Sequence, residues 1–296
     1  MRISTLTIFN QSVGSLNQQQ AKFNDVSQQI ASGRRVTSPS DDPQAAARAV
    51  GVSQSLAITE QYTDSRVSAR TALEQSESVL NSVSDSITSA KTLLIQGAND
   101  TLSEADRQSV AYELRGVYNT LLGQANAADG NGNYLFGGYK DDEAPFVQGG
   151  GTVTYEGDDK VREQRIDASR LMPVGASGGD IFGADGDDAA LFTTLESAIG
   201  KLESGSGDLG AEMDSLDDHL DTVLTVRASM GARLNELDVV DGVAANRTLN
   251  YEQTRSDLVD LDYVEAISEY SLRQVGLQAS QQTFANMKGM SLFQYL

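Results

Sequence analysis

The sequence predicts a mainly α-helical fold: a long antiparallel helical bundle or coiled coil formed by both chain ends, with a small β-rich domain inserted in the middle. Three observations support this fold class. Apolar residues alternate at steps of three and four along both the early and the late parts of the chain. That period disappears and glycines become dense from residue 129 onward. Aromatic residues make up only 6% of the chain and tryptophan is absent, which favours narrow aliphatic cores between helices.

Residues 1–42 are predicted to form an N-terminal coiled-coil arm. Its apolar seam follows heptad spacing and is interrupted by two polar positions. The apolar members are Leu6, Phe9, Val13, Leu16, Phe23 and Ile30. The turn-forming segment SGRRVTSPSDDP at 32–43 ends the first helix. Asp42 followed by Pro43 is typical of an N-cap and a first helical position, so we expect a second helix to begin there.

Residues 43–133 are predicted to supply the first half of the bundle. A long helix is best marked by its apolar heptad positions Leu73, Leu80, Ile87 and Leu94. We expect this helix to break at 97–100. Ser103 and Asp106 then have the spacing of a capping box, which predicts the start of the next helix.

Residues 134–189 are predicted to be a small β-rich domain. The segment 151–166 indicates two short strands about a turn at 156–159. The fragments YLF at 134–136 and LMPV at 171–174 are also typical of strands.

The helical period returns in residues 190–253, the second half of the bundle, and continues through residues 254–296, a C-terminal coiled-coil arm. The interface residues predicted on this arm are Tyr270, Leu277, Phe284, Leu292, Phe293 and Leu296. Short connections favour antiparallel neighbours. We therefore expect early and late helices to pair antiparallel, with the β-rich domain projecting from the far end of the bundle and both termini meeting at the opposite end.

Charge is distributed unevenly along the chain. The 296 residues carry 22 Lys and Arg against 42 Asp and Glu, a net charge of −20. Residues 1–42 have four basic and three acidic residues (net +1), and residues 254–296 have three and five (net −2), so residues 43–253 hold the remaining −19. A chain this acidic argues against nucleic acid or an anionic membrane as a partner.

The charge-poor arms offer few large apolar side chains for the number of residues that must be ordered. Conformational entropy opposes that ordering, and the seam alone does not offset it. We therefore predict that both arms are disordered in the free monomer and become ordered when copies of the protein pack together.

Arg34 and Arg35 are the only adjacent basic residues. Two arginines are a weak signal for nucleic acid in so acidic a chain. We expect them to form ion pairs with Asp41 and Asp42, or with carboxylates of a neighbouring copy.

The residues available for chemistry are few. Cysteine is absent and His219 is the only histidine, which excludes disulfides, thiolate zinc sites and most histidine-based triads. His219 lies away from the seam of its helix and is predicted to be a solvated surface residue. No constellation supports an enzyme, and no catalytic, cofactor-binding or metal-ligating residue is assigned.

Three segments match ligand-binding patterns only in part. Residues 205–210, GSGDLG, have the letters of the dinucleotide fingerprint without a preceding strand, so a flexible interhelical loop is expected. Residues 129–133 resemble the start of a calcium loop, but Tyr134 and Lys140 replace the required glycine and glutamate, which favours a turn that leads into the next domain. Residues 183–188 are interpreted as an exposed acidic loop.

No secretory signal and no run of about 18 apolar residues is present, which by default indicates a cytoplasmic protein. That default fails for proteins exported by a machine that recognises an uncleaved N-terminus.

Motifs at both ends resemble the family of bacterial flagellins and flagellar hook–filament junction proteins. MRISTLTIFNQSV at the start and SGRRVTSPSDDPQAAARA at 32–49 are similar to the N-terminus shared by that family. ADGNGNYLFGGYKDD at 128–142 resembles the entry of the junction proteins into their β domain. Residues 261–296 resemble the family C-terminus, and the ending SLFQYL is closer to the junction proteins than to filament flagellin.

This resemblance implies a non-enzymatic structural subunit without a cofactor. The subunit would be exported unfolded through the flagellar type III apparatus, with a chaperone on its C-terminal arm. It would assemble outside the cell as a ring between hook-associated protein 1 and the flagellin filament. The terminal arms would form an inner coiled-coil layer, the bundle a middle layer, and residues 134–189 an outward domain.

Two alternatives remain open at this point. The chain could be filament flagellin itself, which abundance in sheared filaments would distinguish. From a different class, it could be a monomeric acidic binding module that uses residues 134–189 for calcium or sugar, which calorimetry would test.

Overall fold

The computed structural model describes residues 5–183 and 188–293. Within these ranges the chain forms seven helices and four short strands, which confirms the predicted fold class of long helices at both ends around a small strand region. The helices are α1 (Thr5–Ser32), α2 (Pro43–Gly97), α3 (Glu104–Ala125), α4 (Gly178–Phe182), α5 (Ala190–Glu203), α6 (Gly210–Val259) and α7 (Tyr263–Phe293). The strands are β1 (Phe146–Gly149), β2 (Thr152–Tyr155), β3 (Glu163–Asp167) and β4 (Arg170–Pro173).

The chain divides into two compact units. The terminal unit contains Met1–Ile58 and Ala245–Leu296, and the central unit contains Thr59–Ala244. Helices α2 and α6 contribute to both units because each crosses a boundary. The central unit contains every described strand together with α3, α4 and α5.

The helical core of the central unit follows the heptad pattern along α2 and α6. The completely buried heptad positions are Leu73, Leu80, Ile87 and Leu94 on α2, and Leu216, Val223, Met230 and Leu237 on α6. Ion pairs join the same two helices: Lys91 lies 2.5 Å from Asp217, and Arg70 lies 2.7 Å from Asp238. Because low residue numbers on α2 meet high numbers on α6, the two helices run antiparallel, as predicted.

The predicted helix starts are confirmed at α2 and α3. The Asp42 carboxylate accepts a hydrogen bond from the Ala45 amide at 2.9 Å, and Pro43 is the first helical residue. The Ser103 hydroxyl accepts from the Asp106 amide at 3.2 Å, while the Asp106 carboxylate accepts from the Ser103 amide at 3.3 Å. This capping box satisfies amides that a helix start otherwise leaves unpaired.

Arg107 joins the turn between α2 and α3 to the connection between α5 and α6. Its guanidinium donates to the carbonyl oxygens of Gly97 at 3.4 Å, Asn99 at 3.2 Å and Gly205 at 2.8 Å. Residues 204–209 connect α5 to α6, and Gly210 begins α6, so the prediction of an interhelical loop for the glycine-rich segment is confirmed.

The strands pair differently from the expectation for residues 151–166. β2 and β3 do form within that segment, but β2 pairs with β1 and β3 pairs with β4, each as an antiparallel two-stranded sheet. Gly150 and Gly151 have φ values of +66° and +96° and allow a two-residue turn between β1 and β2. Such a turn favours pairing of adjacent strands over pairing across the longer 156–162 segment.

Two further expectations about the strand region were wrong. Residues 134–136 are not a strand: Tyr134 makes only an isolated bridge to Ala128, and the next two side chains turn into the core. The strands also lie alongside α2 and α6 and do not project beyond the turn at the end of α2. Arg66 on α2 donates to the Ile166 carbonyl at 3.0 Å, and Arg233 on α6 donates to the Gly175 carbonyl at 3.0 Å. Helix α3 runs back from the turn and delivers the chain to this position.

An aromatic cluster joins the strands to α4 and α5. The Phe146 ring lies 5.0 Å from the Phe182 ring and 5.8 Å from the Phe192 ring, and all three side chains are buried. Asn126 fixes the start of β1, because its amide group donates to the Phe146 carbonyl at 2.8 Å and accepts from the Phe146 amide at 2.9 Å. The small strand region therefore has a substantial core of its own.

Candidate assembly interface

Helices α1 and α7 pack against each other as an antiparallel pair. The Phe9 ring lies 5.4 Å from the Phe284 ring, and the Phe23 ring lies 5.0 Å from the Tyr270 ring. On both helices the two contacts are 14 residues apart, which is two heptads. The seam predicted on each arm therefore brings the arms of one chain together.

The predicted interface residues occupy this seam to different extents. Those that are partly buried are Val13, Leu16, Phe23, Ile30, Tyr270, Leu277 and Phe284. Phe9 stays 41% exposed despite its ring contact. The side chains of Leu6, Leu292 and Phe293, and the whole of Leu296, lie outside the described residues. Contacts within one chain thus cover part of the surface that the sequence assigns to assembly.

A second apolar face of α7 has no counterpart in the terminal unit as described. Its four large side chains are Val264, Ile267, Leu272 and Val275, with exposed fractions of 79%, 55%, 70% and 63%. At 3.6 residues per turn, this face points about 150° away from the seam through Tyr270, Leu277 and Phe284. None of the four is among the interface residues predicted from the sequence. Val264, Leu272 and Val275 could have been found by asking which apolar residues of α7 fall outside the heptad positions.

Charge on the arm helices is too sparse for a solvated pair. Helix α1 has Lys22 and Asp25 as its only ionisable side chains, and its exposed positions are mostly Gln, Asn and Ser. On α7, Glu269 and Arg273 neutralise each other at 2.8 Å. Helices that face water usually have a charged side opposite their apolar stripe. Helix α1, and to a lesser extent α7, instead presents mostly uncharged surface.

The basic pair between α1 and α2 is only partly placed as expected. Arg35 lies 3.4 Å from Asp42, which confirms one expected pair. The Asp41 carboxylate instead accepts hydrogen bonds from the amides of Thr37 at 3.0 Å and Ser38 at 2.8 Å. The Ser38 amide is the main reason that the pKa of Asp41 is lowered, and the Ala45 amide has the same effect on the pKa of Asp42.

His219 is not the solvated residue that the sequence predicted. It is only partly exposed, and a Cβ atom added at Gly183 would lie 3.0 Å from its Cε1 atom. Gly183 is far from His219 in sequence, so the heptad pattern of α6 could not indicate that the two residues lie close together. Burial lowers the pKa of His219, while Asp218 acts in the opposite direction.

The remaining ligand-like segments have structural roles where they are described. The Asp129 carboxylate accepts from the amides of Asn131 at 2.8 Å and Asn133 at 2.9 Å, which is a turn of the kind predicted. Of the acidic segment 183–188, residues 184–187 lie outside the described residues. Over the described ranges, no group of three or more His, Cys, Asp or Glu side chains could hold a metal ion, and no helix is long and apolar enough to cross a membrane.

Comparison with known proteins defines the class first. Residues 3–141 match the bacterial flagellin N-terminal helical region, and residues 213–296 match the bacterial flagellin C-terminal helical region. The chain is therefore a flagellin-like protein, built from the two terminal helical regions that this class shares.

Its relatives define the family more closely. The chain is 38% identical to flagellar hook-associated protein 3 of Salmonella typhimurium and 39% identical to that of Escherichia coli K12, over 99% of both chains in each case. It is 23% identical to flagellin of Bacillus subtilis over 91% of both chains. The protein belongs to the flagellar hook-associated protein 3 family. The crystal structure of flagellar hook-associated protein 3 from Legionella pneumophila has the same fold, with a TM-score of 0.65 and 19% identity over 70% of this chain and 98% of that one.

Proposed function

We propose that this protein is the structural subunit of the ring that joins hook-associated protein 1 to the flagellin filament, and that filament assembly and motility require it. Full-length identity to flagellar hook-associated protein 3 supports this role over that of filament flagellin, to which the identity is much lower. The role is mechanical and involves no catalysis.

The observation that carries the proposal is the unpartnered apolar face of α7. A two-helix hairpin can cover one face of each helix, and here the seam with α1 already uses one face of α7. Val264, Leu272 and Val275 remain largely exposed on the other face. Packing of that face against other subunits would remove it from water, with a favourable free energy of about 25 cal/mol per Å² of apolar surface.

The two units suit different positions in such a ring. The terminal unit, poor in charge, would form the inner coiled-coil layer, where each helix has other helices around it. The central helices would form the middle layer. Residues 134–189 would face outward.

The subunit would reach this position through the flagellar type III export apparatus without a cleaved signal peptide, and would function outside the cell. An export chaperone would hold the C-terminal arm before export, because its two apolar faces would otherwise promote aggregation inside the cell. One rim of the ring would contact hook-associated protein 1, and the other would offer flagellin a template for its own arms.

The first test is deletion of the gene. We expect intact hooks, no filaments and flagellin in the culture medium, because the filament would have no base on which to polymerise. Sheared filaments of the parent strain should contain this protein only in trace amounts. A chain that forms the bulk of the filament would instead be flagellin, and normal swimming of the deletion strain would overturn the proposal.

The second test complements the deletion with arm variants. Leu272→Asp and Val275→Asp should be exported but fail to restore filaments, because a carboxylate on the outer face of α7 cannot be buried in the ring. Phe23→Asp and Phe284→Asp should fail in the same way through the seam. Val239→Asp places the same charge at a valine of α6 that is 68% exposed in the central unit, and it should restore swimming. Swimming with Leu272→Asp and Val275→Asp would show that this face does not take part in assembly.

A further inference from the structure

The two links that lead into the arms are joined to each other. One link connects α1 to α2 and the other connects α6 to α7. The Arg35 amide donates to the Val259 carbonyl at 2.8 Å, and the Leu261 amide donates to the Gly33 carbonyl at 3.1 Å. Arg34 and Asp260 form an antiparallel β-bridge between these two hydrogen bonds. We refer to residues 33–36 and 258–261 together as the linker clasp.

Arg35 connects the clasp to three helices. Its guanidinium donates to the Leu258 carbonyl at 2.6 Å, in the last turn of α6, and pairs with Asp42, the N-cap of α2. Its own carbonyl accepts a hydrogen bond from the Gln29 side chain of α1 at 3.0 Å. A cation at the C-terminal end of one helix and a carboxylate at the N-terminal end of another both match the local helix dipoles.

The buried residues of the terminal unit are concentrated near the clasp. They are Val26, Val36, Ala45, Ala49 and Ala266. Toward the free ends of α1 and α7, the side chains that the structure describes are only partly buried or exposed. Burial in this unit therefore decreases from the clasp toward the termini.

Gly33 adds a conformational requirement to the clasp. Its φ of +69° lies in the left-handed region, and a Cβ atom at this position would lie 2.9 Å from the Tyr263 hydroxyl. Glycine permits both the turn and the close approach of the first residue of α7.

We propose that the linker clasp is an ordered element in the single chain, and that it makes α1 and α7 become ordered together, from the links toward the termini. Arg35 and Leu258 are 223 residues apart, but the pairing of α2 with α6, as in the Arg70–Asp238 ion pair, already closes most of that loop. The clasp closes the shorter loop that remains, at a smaller cost in entropy than a loop of the full length. Each further turn of helix then adds contacts between neighbours already held in register, with Phe23–Tyr270 formed before Phe9–Phe284.

This inference concerns the isolated chain, and it stands or falls separately from the proposed role in a ring. The test is amide hydrogen exchange, followed by mass spectrometry, on the dilute full-length monomer. We expect protection in residues 31–42 and 256–264, with progressively less toward both termini. Arg35→Ala should lower protection about tenfold in both segments, because a charge-assisted contact to the distant link is lost. Gly33→Ala should also lower protection in both residues 31–42 and residues 256–264. In both variants the amides of the central unit should keep their protection, which would show that the chain still folds.

Arg34→Ala is the matched control, because it removes the same charge from the adjacent exposed position and leaves the backbone bridge in place. It should change protection in neither segment. The proposal is overturned if residues 256–264 are unprotected in the wild-type monomer. A loss confined to residues 31–42 in Arg35→Ala, or an equal loss in Arg34→Ala, would also overturn it.

Discussion

The terminal and central units use the same heptad pattern but bury it to very different degrees. In the central unit, Leu80, Ile87 and Met230 are completely inaccessible to water. In the terminal unit, the most buried of the described apolar residues are small or medium ones, such as Ala266 and Val26. The difference arises because several helices and the strands surround each other in the central unit, whereas the described side chains of α1 and α7 pack mainly against one another. A heptad pattern therefore predicts a helix but not whether one chain can bury it.

The largest expected difference between the two units comes from truncating an apolar side chain in each of them. Leu80→Ala should lower the free energy of unfolding by about 2–5 kcal/mol, since it leaves a cavity in a closed core. Val275→Ala should change it by less than about 0.5 kcal/mol, because that side chain is exposed in the monomer. Urea denaturation followed by circular dichroism measures both values.

Equal losses in these two variants would mean that the arms share the stability of the central core. The view that the central unit is stable by itself while the terminal unit depends on other subunits would then be wrong.

Removing a helix cap in each unit should give a smaller difference. Ser103→Ala removes the capping box of α3 and should lower the free energy of unfolding by about 1 kcal/mol. Asp262 caps α7 through the Val264 amide at 2.9 Å. We expect α7 to unfold separately from the central unit. Asp262→Ala should therefore leave the main urea transition of the monomer unchanged and should instead reduce helix content at the arm. A shift of the midpoint with Asp262→Ala as large as that with Ser103→Ala would contradict this expectation.

The smallest expected effect is a pH dependence that belongs to the central unit alone. Burial lowers the pKa of His219 below its ordinary value of 6.5, so the unfolded chain binds a proton that the folded chain does not. Stability should therefore fall as pH decreases through that value. His219→Gln should remove this part of the slope between pH 7.5 and 5.5, measured as urea midpoints. An unchanged slope would mean that the ring titrates alike in both states.

Much of this fold could be predicted because its signals are local or periodic. The starts of α2 and α3 follow from Asp42 and Ser103, whose side chains bond amides within three residues. The heptad seams on α2 and α6 also correspond to the buried residues. The pairing of the strands could not be predicted in the same way, because two glycines decided which partner was nearest.

The candidate interface was only half predictable. Tyr270 and Phe284 are heptad positions, and the structure shows that the partner in their ring contacts is α1 of the same chain. Leu272 and Val275 fall between heptad positions, so a search for one seam passes over them. They become candidates for contacts between subunits only once the structure shows that α1 already covers the seam of α7.

Three properties could be read from local patterns and composition, because they depend on neighbouring residues: the chain is helical at both ends, α2 and α3 start at Asp42 and Ser103, and the arms are poor in charge. Three others became visible only in the folded chain: Arg35 joins two links far apart in sequence, Gly183 lies close to His219, and α7 keeps a second apolar face exposed. Those features depend on which distant residues meet in space, and pairwise proximity is not encoded in any local pattern.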